Sequence, residues 1–137
     1  MTIKTLLARP AAWWTIAAIL AAIFMFMATN NEVYEIASPP SSDWSVMERK
    51  SESIVAFALV GFAVVRACFA GGRTASPLVI GAVIAAYSAV IEVMQYFLDP
   101  PWEGIWWSLF DVFCGFVGGY LAVYVVRLLG RTATPRL

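Results

Sequence analysis

The sequence predicts an all-α integral membrane protein, a bundle of four transmembrane helices with both the N and the C terminus on the cytoplasmic side. Three observations lead there. Of the 137 residues, 61% are hydrophobic and 13% charged, against about 25% charged in ordinary soluble domains. The apolar residues, which raise the mean hydropathy to +0.78, are gathered into four runs, each near the ~20 residues that a helix needs to cross about 30 Å of hydrocarbon. Runs such as PLVIGAVIAAYSAVIEVMQYFL lack the apolar-polar alternation, in segments of about ten residues, that marks a membrane β-barrel.

The helices are expected at 10–29, 52–70, 77–98 and 106–129, within a single domain covering 1–137. The first follows Lys4 and Arg9, as the apolar core of a signal peptide would. Its apolar run exceeds the ~7–15 residues of such a core and no A-x-A cleavage site follows, so it reads as an uncleaved span. An outer loop, 30–51, leads to the second helix. Within it Pro39-Pro40 excludes regular helix, because the ring fixes φ and removes a donor. Ser45 and Glu48 have the spacing of a capping box that opens the helix entering the membrane. The third helix starts at Pro77 and the fourth after LDPPWEGIWW. Most of the six tryptophans fall near helix ends, where aromatic side chains anchor a span at the lipid-water interface.

Orientation follows from the basic residues, which concentrate in cytoplasmic loops. Lys4, Arg9, Arg66, Arg73, Arg127, Arg131 and Arg136 make seven of the nine Lys and Arg on one side. Arg49 and Lys50 lie on the other, with Glu32, Glu35, Asp43, Glu48, Asp99 and Glu103. That side is therefore the outer one. Because the solvent for the largest surface is lipid, the formal net charge of +0 says little about partners; no nucleic-acid partner is expected.

Against this topology, a few ionisable residues fall inside the spans. Glu92 is six residues before Leu98, hence ~9 Å below the outer boundary at 1.5 Å per residue, and Asp111, five residues into the fourth helix, is ~7–8 Å below it. Glu52 opens the second helix at the same end, beneath Lys50 and Arg49. Three carboxylates from three helices thus share one depth in the outer leaflet. Ser88, Glu92, Gln95 and Tyr96 recur at helical spacing and are expected on one face. Ser108, Asp111, Cys114, Gly115, Gly118 and Gly119 form a facing stripe, whose small-xxx-small spacing lets helices approach closely. A lone charge in hydrocarbon costs a few kcal/mol, so such residues face the bundle and pair, or mark a functional site. Two readings follow: an outward-opening polar site, or a hydrogen-bonded lock between helices. Cys68 and Cys114 lie at opposite ends of their helices, too far apart for a disulfide. Arg66 and Arg127 are expected to snorkel to the inner interface.

RKSESIVAFALVG, IEVMQYFLDP and SLFDVFCGFVGG together resemble the VanZ-like membrane domain. That family's pattern runs Asp-Lys-x-x-His-x-x-x-Tyr-x-x-x-Gly, then Glu-x-x-Gln-x-Phe, an Arg, and Asp-x-x-x-Asn-x-x-Gly. The resemblance covers residues 49 to 122, and Lys50, Gly61, Glu92, Gln95, Phe97, Asp111 and Gly118 keep the pattern. Ser53, Phe57 and Gly115 stand at the family's His, Tyr and Asn positions, the family Arg is missing before Asp111, and the chain contains no His. Lys50 is left to supply the cation, as a point charge without a guanidinium's fork.

The resemblance implies a multi-pass protein of the bacterial inner (cytoplasmic) membrane, acting in the cell envelope in the manner of a family associated with glycopeptide antibiotic resistance. It further implies recognition of a membrane lipid or lipid-linked amphiphile. Glu92, Gln95, Asp111, Lys50, Glu52, Tyr96 and Ser53 are the expected ligand-binding residues, the acids accepting hydrogen bonds and Lys50 pairing with an anionic headgroup. No cofactor or metal is expected, since the usual zinc sets rely on His and Cys. No nucleophile or nucleotide loop is evident either, which weighs against an enzyme. The alternative is a structural or assembly subunit whose acids lock helices or meet a membrane-protein partner. A small proton-coupled transporter fits less well, because the first helix has no ionisable residue and the acids sit near one face, whereas transporter sites lie near the midplane.

Overall fold

The computed structural model describes Thr5, residues 7–30, Val33, 42–98 and 104–132, with backbone alone at 42–49 and 131–132. Among the described residues four long helices carry the fold: α1 (Pro10–Thr29), α2 (Ser42–Ala70), α3 (Pro77–Leu98) and α4 (Ile105–Thr132). All four contain stretches long and apolar enough to cross a membrane, and no strand occurs among the described residues. Lys4, Glu32, Glu35, Pro39, Pro40, Asp99, Trp102, Glu103 and Arg136 lie outside the described residues, as do the side chains of Asp43, Trp44, Glu48, Arg49 and Arg131.

Local chemistry fixes the helix ends. Pro10 occupies the first turn of α1 and Pro77 opens α3, both where a missing N–H costs nothing. α2 ends in a Schellman turn: Gly72 takes φ +71°, Arg73 N–H donates to Cys68 O at 2.9 Å and Gly72 N–H to Phe69 O at 3.0 Å. The positive φ is what requires glycine there. The start of α2 departs from expectation. It is helical from Ser42, so Ser45 lies inside the helix and does not cap it. The helix-breaking Pro39-Pro40 pair stands close before Ser42, and nothing between Ser42 and the apolar span interrupts the helix.

The contacts between helices give an up-down-up-down order. Tyr87 Oη donates to Ala21 O at 2.5 Å and Gln95 Nε2 to Ala28 O at 2.9 Å. Eight residues along α3 match seven along α1, ~12 Å against ~10.5 Å, so these helices run parallel. Along α3 and α4 the order reverses, Ser88 meeting Asp111 and Gly115 while Ile84 meets Gly115 and Gly119. α4 packs chiefly against α3 and α2, whereas α1 rests mainly on α2 and touches α3 more lightly.

Glycine sets how deeply α4 sits. A Cβ on Gly119 would lie 2.8 Å from Ile84 Cβ, and one on Gly118 would lie 2.8 Å from Ile54 O and 2.9 Å from Ala58 N. Gly115 and Gly119, four apart, therefore face α3, while Gly118 faces α2 at Ile54, Phe57 and Ala58; one turn further along α2, a Cβ on Gly61 would come within 3.1 Å of Gly119 Cα and of Ala122 Cβ. Below the outer end these contacts close over Phe57, Val60, Ile84, Val123 and Val126, all buried. At the inner end Arg127 Nη2 donates to Ala75 O at 2.9 Å and the Arg66 guanidinium lies 5.1 Å from the Trp13 ring centre. Both arginines are thus fastened to neighbouring elements and do not simply extend to the interface. The cysteines are unpaired, as expected.

Gly118→Ala is expected to lower stability by about 1–3 kcal/mol, the usual cost of overpacking a tight core, because the clash is with backbone atoms that have no rotamer to change. Gly130→Ala, where a Cβ meets nothing within 4 Å, serves as the control. Thermal melts of both in detergent check this, and equal midpoints would contradict the close packing of α4.

Candidate functional site

The polar cluster forms at the end of the bundle where the apolar spans of α2 and α4 begin and α3 ends. Gly104, at φ +101°, leads into α4, and its carbonyl accepts from Ser108 N–H at 3.2 Å. This first turn leaves Trp106 and Trp107 exposed. It directs Ser108, which is buried, and then Asp111 toward the bundle. Lys50, at the outer end of the α2 span, meets Asp111: Nζ lies 2.5 Å from Oδ2, with only 12% and 18% of the two side chains exposed. The same ammonium sits 5.3 Å from the centre of the Trp107 ring, which adds a cation-π contact on its outward side.

α3 completes the cluster. Ser88 Oγ donates to the backbone carbonyl of Asp111 at 3.0 Å. One turn further out, Glu92 is half-buried, within hydrogen-bonding range of the Ser108 hydroxyl and the Asp111 carboxyl and in the field of Lys50. Asp111 Oδ1 is sealed from solvent and receives no hydrogen bond among the described residues. A buried acceptor of this kind lowers stability unless a donor reaches it. Among the described side chains, one cation, Lys50, thus accompanies two carboxyl groups, Asp111 and Glu92. Groups of three or more metal-ligating side chains are absent among the described residues, so the arrangement is one of hydrogen bonds and charge.

The seven residues expected to bind a ligand divide. Lys50, Asp111 and Glu92 come together as the sequence suggested, but Lys50 is engaged by Asp111. Ser53 is half-buried, three residues along α2 from Lys50. Glu52 is exposed, because two residues along a helix turn it ~200° away from Lys50. Gln95 reaches across to α1, where it satisfies a carbonyl of the last turn that has no partner within its own helix. Tyr96 is 56% exposed with its ring against Phe97, 5.2 Å between centres. The polar stripe expected on α3 therefore splits between two partners: Ser88 and Glu92 face α4, and Gln95 serves α1. Two contributors escaped sequence reasoning. Trp107 reads as an interfacial anchor, and Tyr87 carries a signal only in its eight-residue spacing from Gln95. Their partners, an ammonium two helices away and a main-chain carbonyl, leave no mark in sequence.

Comparison with family models, with curated proteins and with solved structures finds no match to this chain. The likeness to the VanZ-like domain rests on the residue pattern alone.

Breaking the ion pair tests its contribution. Lys50→Met leaves the Asp111 charge buried and is expected to cost about 3–5 kcal/mol. Adding Asp111→Leu to that variant removes the orphaned charge and recovers most of the loss. Chemical or thermal unfolding of the single and double variants reads this directly. A single variant as stable as wild type would show that the pair carries no structural role.

Proposed function

We propose that this chain is a multi-pass protein of the bacterial inner membrane, with both termini cytoplasmic, which recognises the headgroup of a membrane lipid or lipid-linked amphiphile at outer-leaflet depth. The observation that carries the reading is the surplus of acceptors: with Lys50 spent on Asp111, the half-buried Glu92 and the undonated Asp111 Oδ1 favour a ligand that brings hydrogen-bond donors or positive charge. The depth agrees, since Glu92 and Asp111 lie about two turns inside the ends of their helices, level with the lower headgroup region. The VanZ-like pattern at Lys50, Glu92, Gln95 and Asp111 adds a cell-envelope role, in the manner of a family linked to glycopeptide resistance. Lys50, already paired, is better suited to holding Asp111 in place than to receiving an anionic headgroup.

A second reading, a structural or assembly subunit, is favoured by one specific observation. Gln95 and Tyr87 are both committed to carbonyls of α1, and Lys50–Asp111 ties α2 to α4, so much of the polar chemistry goes into holding helices together.

Native mass spectrometry of the protein extracted gently from its own membrane separates the two, comparing wild type with Glu92→Gln while a thermal melt checks folding. The recognition reading expects a defined lipid retained by wild type and lost from a variant of unchanged midpoint. If no lipid is retained and the variant melts early, the cluster is a lock and the recognition reading fails.

A further inference from the structure

Acidic residues are confined to one end of the bundle. All nine Asp and Glu fall between residues 32 and 52 or between 92 and 111, the segments that flank the Lys50 end. The stretches at the opposite end, 1–9, 71–76 and 127–137, contain no acidic residue. An arginine there has no carboxylate side chain to pair with. Lys4, Arg131 and Arg136, whose side chains lie outside the described residues, add only the same sign.

The fold draws four arginines to this end. Trp13 Nε1 donates to Leu7 O at 2.8 Å and Ala12 N–H to Arg9 O at 3.2 Å, which holds the Arg9 backbone against the start of α1. Pro10 abuts the next connection, since a Cβ on Gly71 would lie 3.7 Å from Pro10 Cβ. Arg9 therefore stands beside the turn that carries Arg73. Arg127 reaches the same turn from α4, its Nη2 donating to Ala75 O at 2.9 Å, which uses one of the five N–H donors of a guanidinium. Arg9, Arg73 and Arg127 are exposed, and Arg66 is half-buried. The Arg66 guanidinium lies 5.1 Å from the centre of the Trp13 ring, on a residue four before the end of α2 at Ala70, or ~6 Å inside it.

We infer that this end of the bundle docks anionic phospholipid headgroups of the leaflet it meets. Charge gives the sign of the partner: guanidinium groups without carboxylates suit phosphate, which they grip in a fork. Depth gives its source. The arginines lie at or near the ends of the apolar spans, the level of headgroup phosphates, and a half-buried guanidinium inside the end of α2 favours an anion that is itself part of the bilayer. The general bias of basic residues toward the cytoplasmic side accounts for their sign, but not for an arginine held on an aromatic ring below a helix end. The inference rests on the membrane-spanning reading of the chain and is independent of headgroup recognition at the Lys50 end.

Native mass spectrometry of the delipidated full chain, supplied with equal amounts of phosphatidylglycerol and phosphatidylcholine, tests it. Wild type is expected to retain the anionic lipid about tenfold over the zwitterionic one, and Arg9→Gln/Arg73→Gln to bring the ratio near parity, since each basic residue near a membrane surface contributes about fivefold. Both side chains are exposed, so the melting midpoint is expected to stay unchanged. High salt is expected to weaken the preference in wild type, a readout that needs no variant. Glu92→Gln is expected to keep the wild-type ratio, which separates this surface from the acidic cluster. Equal retention of the two lipids by wild type, a preference indifferent to salt, its persistence in the folded double variant, or its loss in folded Glu92→Gln would overturn the inference. Displacement of the lipid by an equal concentration of inorganic phosphate would do the same, assigning the arginines to a soluble anion.

Discussion

Hydrocarbon offers no hydrogen bonds, so a helix that brings a polar group into it must bring the partner as well, and here the approach of α4 to its neighbours is what makes the partners available. Gly115, Gly118 and Gly119 let the α4 backbone reach the side chains and main chain of α2 and α3 directly. One to two turns above these contacts the same close approach allows Ser88 to reach a main-chain carbonyl of α4 and Lys50 to reach Asp111. Larger residues at the glycine positions would push the helices apart by more than a hydrogen bond tolerates. Close packing and polar satisfaction are therefore one constraint, and the candidate site exists as a consequence of the seam beneath it.

α1 is held differently. Few of its side chains are fully buried, Ala17 being the one such residue among those described, and it has no glycine with which to pack closely. Instead α3 extends Tyr87 and Gln95 to α1 carbonyls just under two turns apart, while Trp13 packs edge-on against Phe62, 6.0 Å between ring centres, beneath Arg66. Polar clips and aromatic edges do for α1 what glycine contact does for α4. The chain thus combines a tight three-helix unit, where the acidic cluster sits, with a fourth helix attached along one side of it.

The outer cluster and the inner fastenings have opposite chemistry. Outside, one lysine meets two acids; inside, arginines reach a main-chain carbonyl and an aromatic face. An ammonium suits the outer place because it needs only a point contact, Asp111 Oδ2, and a ring for its remaining face. A guanidinium serves the opposite end, where Arg127 reaches sideways from α4 and its Nη2 donates to Ala75 O in the turn that joins α2 to α3. The asymmetry leaves the unmet acceptor, Asp111 Oδ1, at the Lys50 end of the bundle among the described residues.

Composition and hydrophobic run length by themselves determined the all-α class and the four helices long and apolar enough to cross a membrane, because each such helix shows as an apolar stretch. The third helix was legible to the residue, at Pro77–Leu98. The start of α2 was not, since a polar segment before the membrane carries no hydrophobic signal and helix there extends back to Ser42. Depth along each helix was likewise readable from sequence, which is why Glu92, Asp111 and Lys50 were expected at one level. What only the tertiary structure decided was direction around each helix axis and the identity of partners. A ~100° step per residue separates Lys50 from Glu52, and rotation of α3 sends Glu92 to α4, Gln95 to α1 and Tyr96 outward. Those rotations are fixed by which glycines meet which backbones across the bundle, and contacts between helices distant in sequence leave no period for a single chain to display.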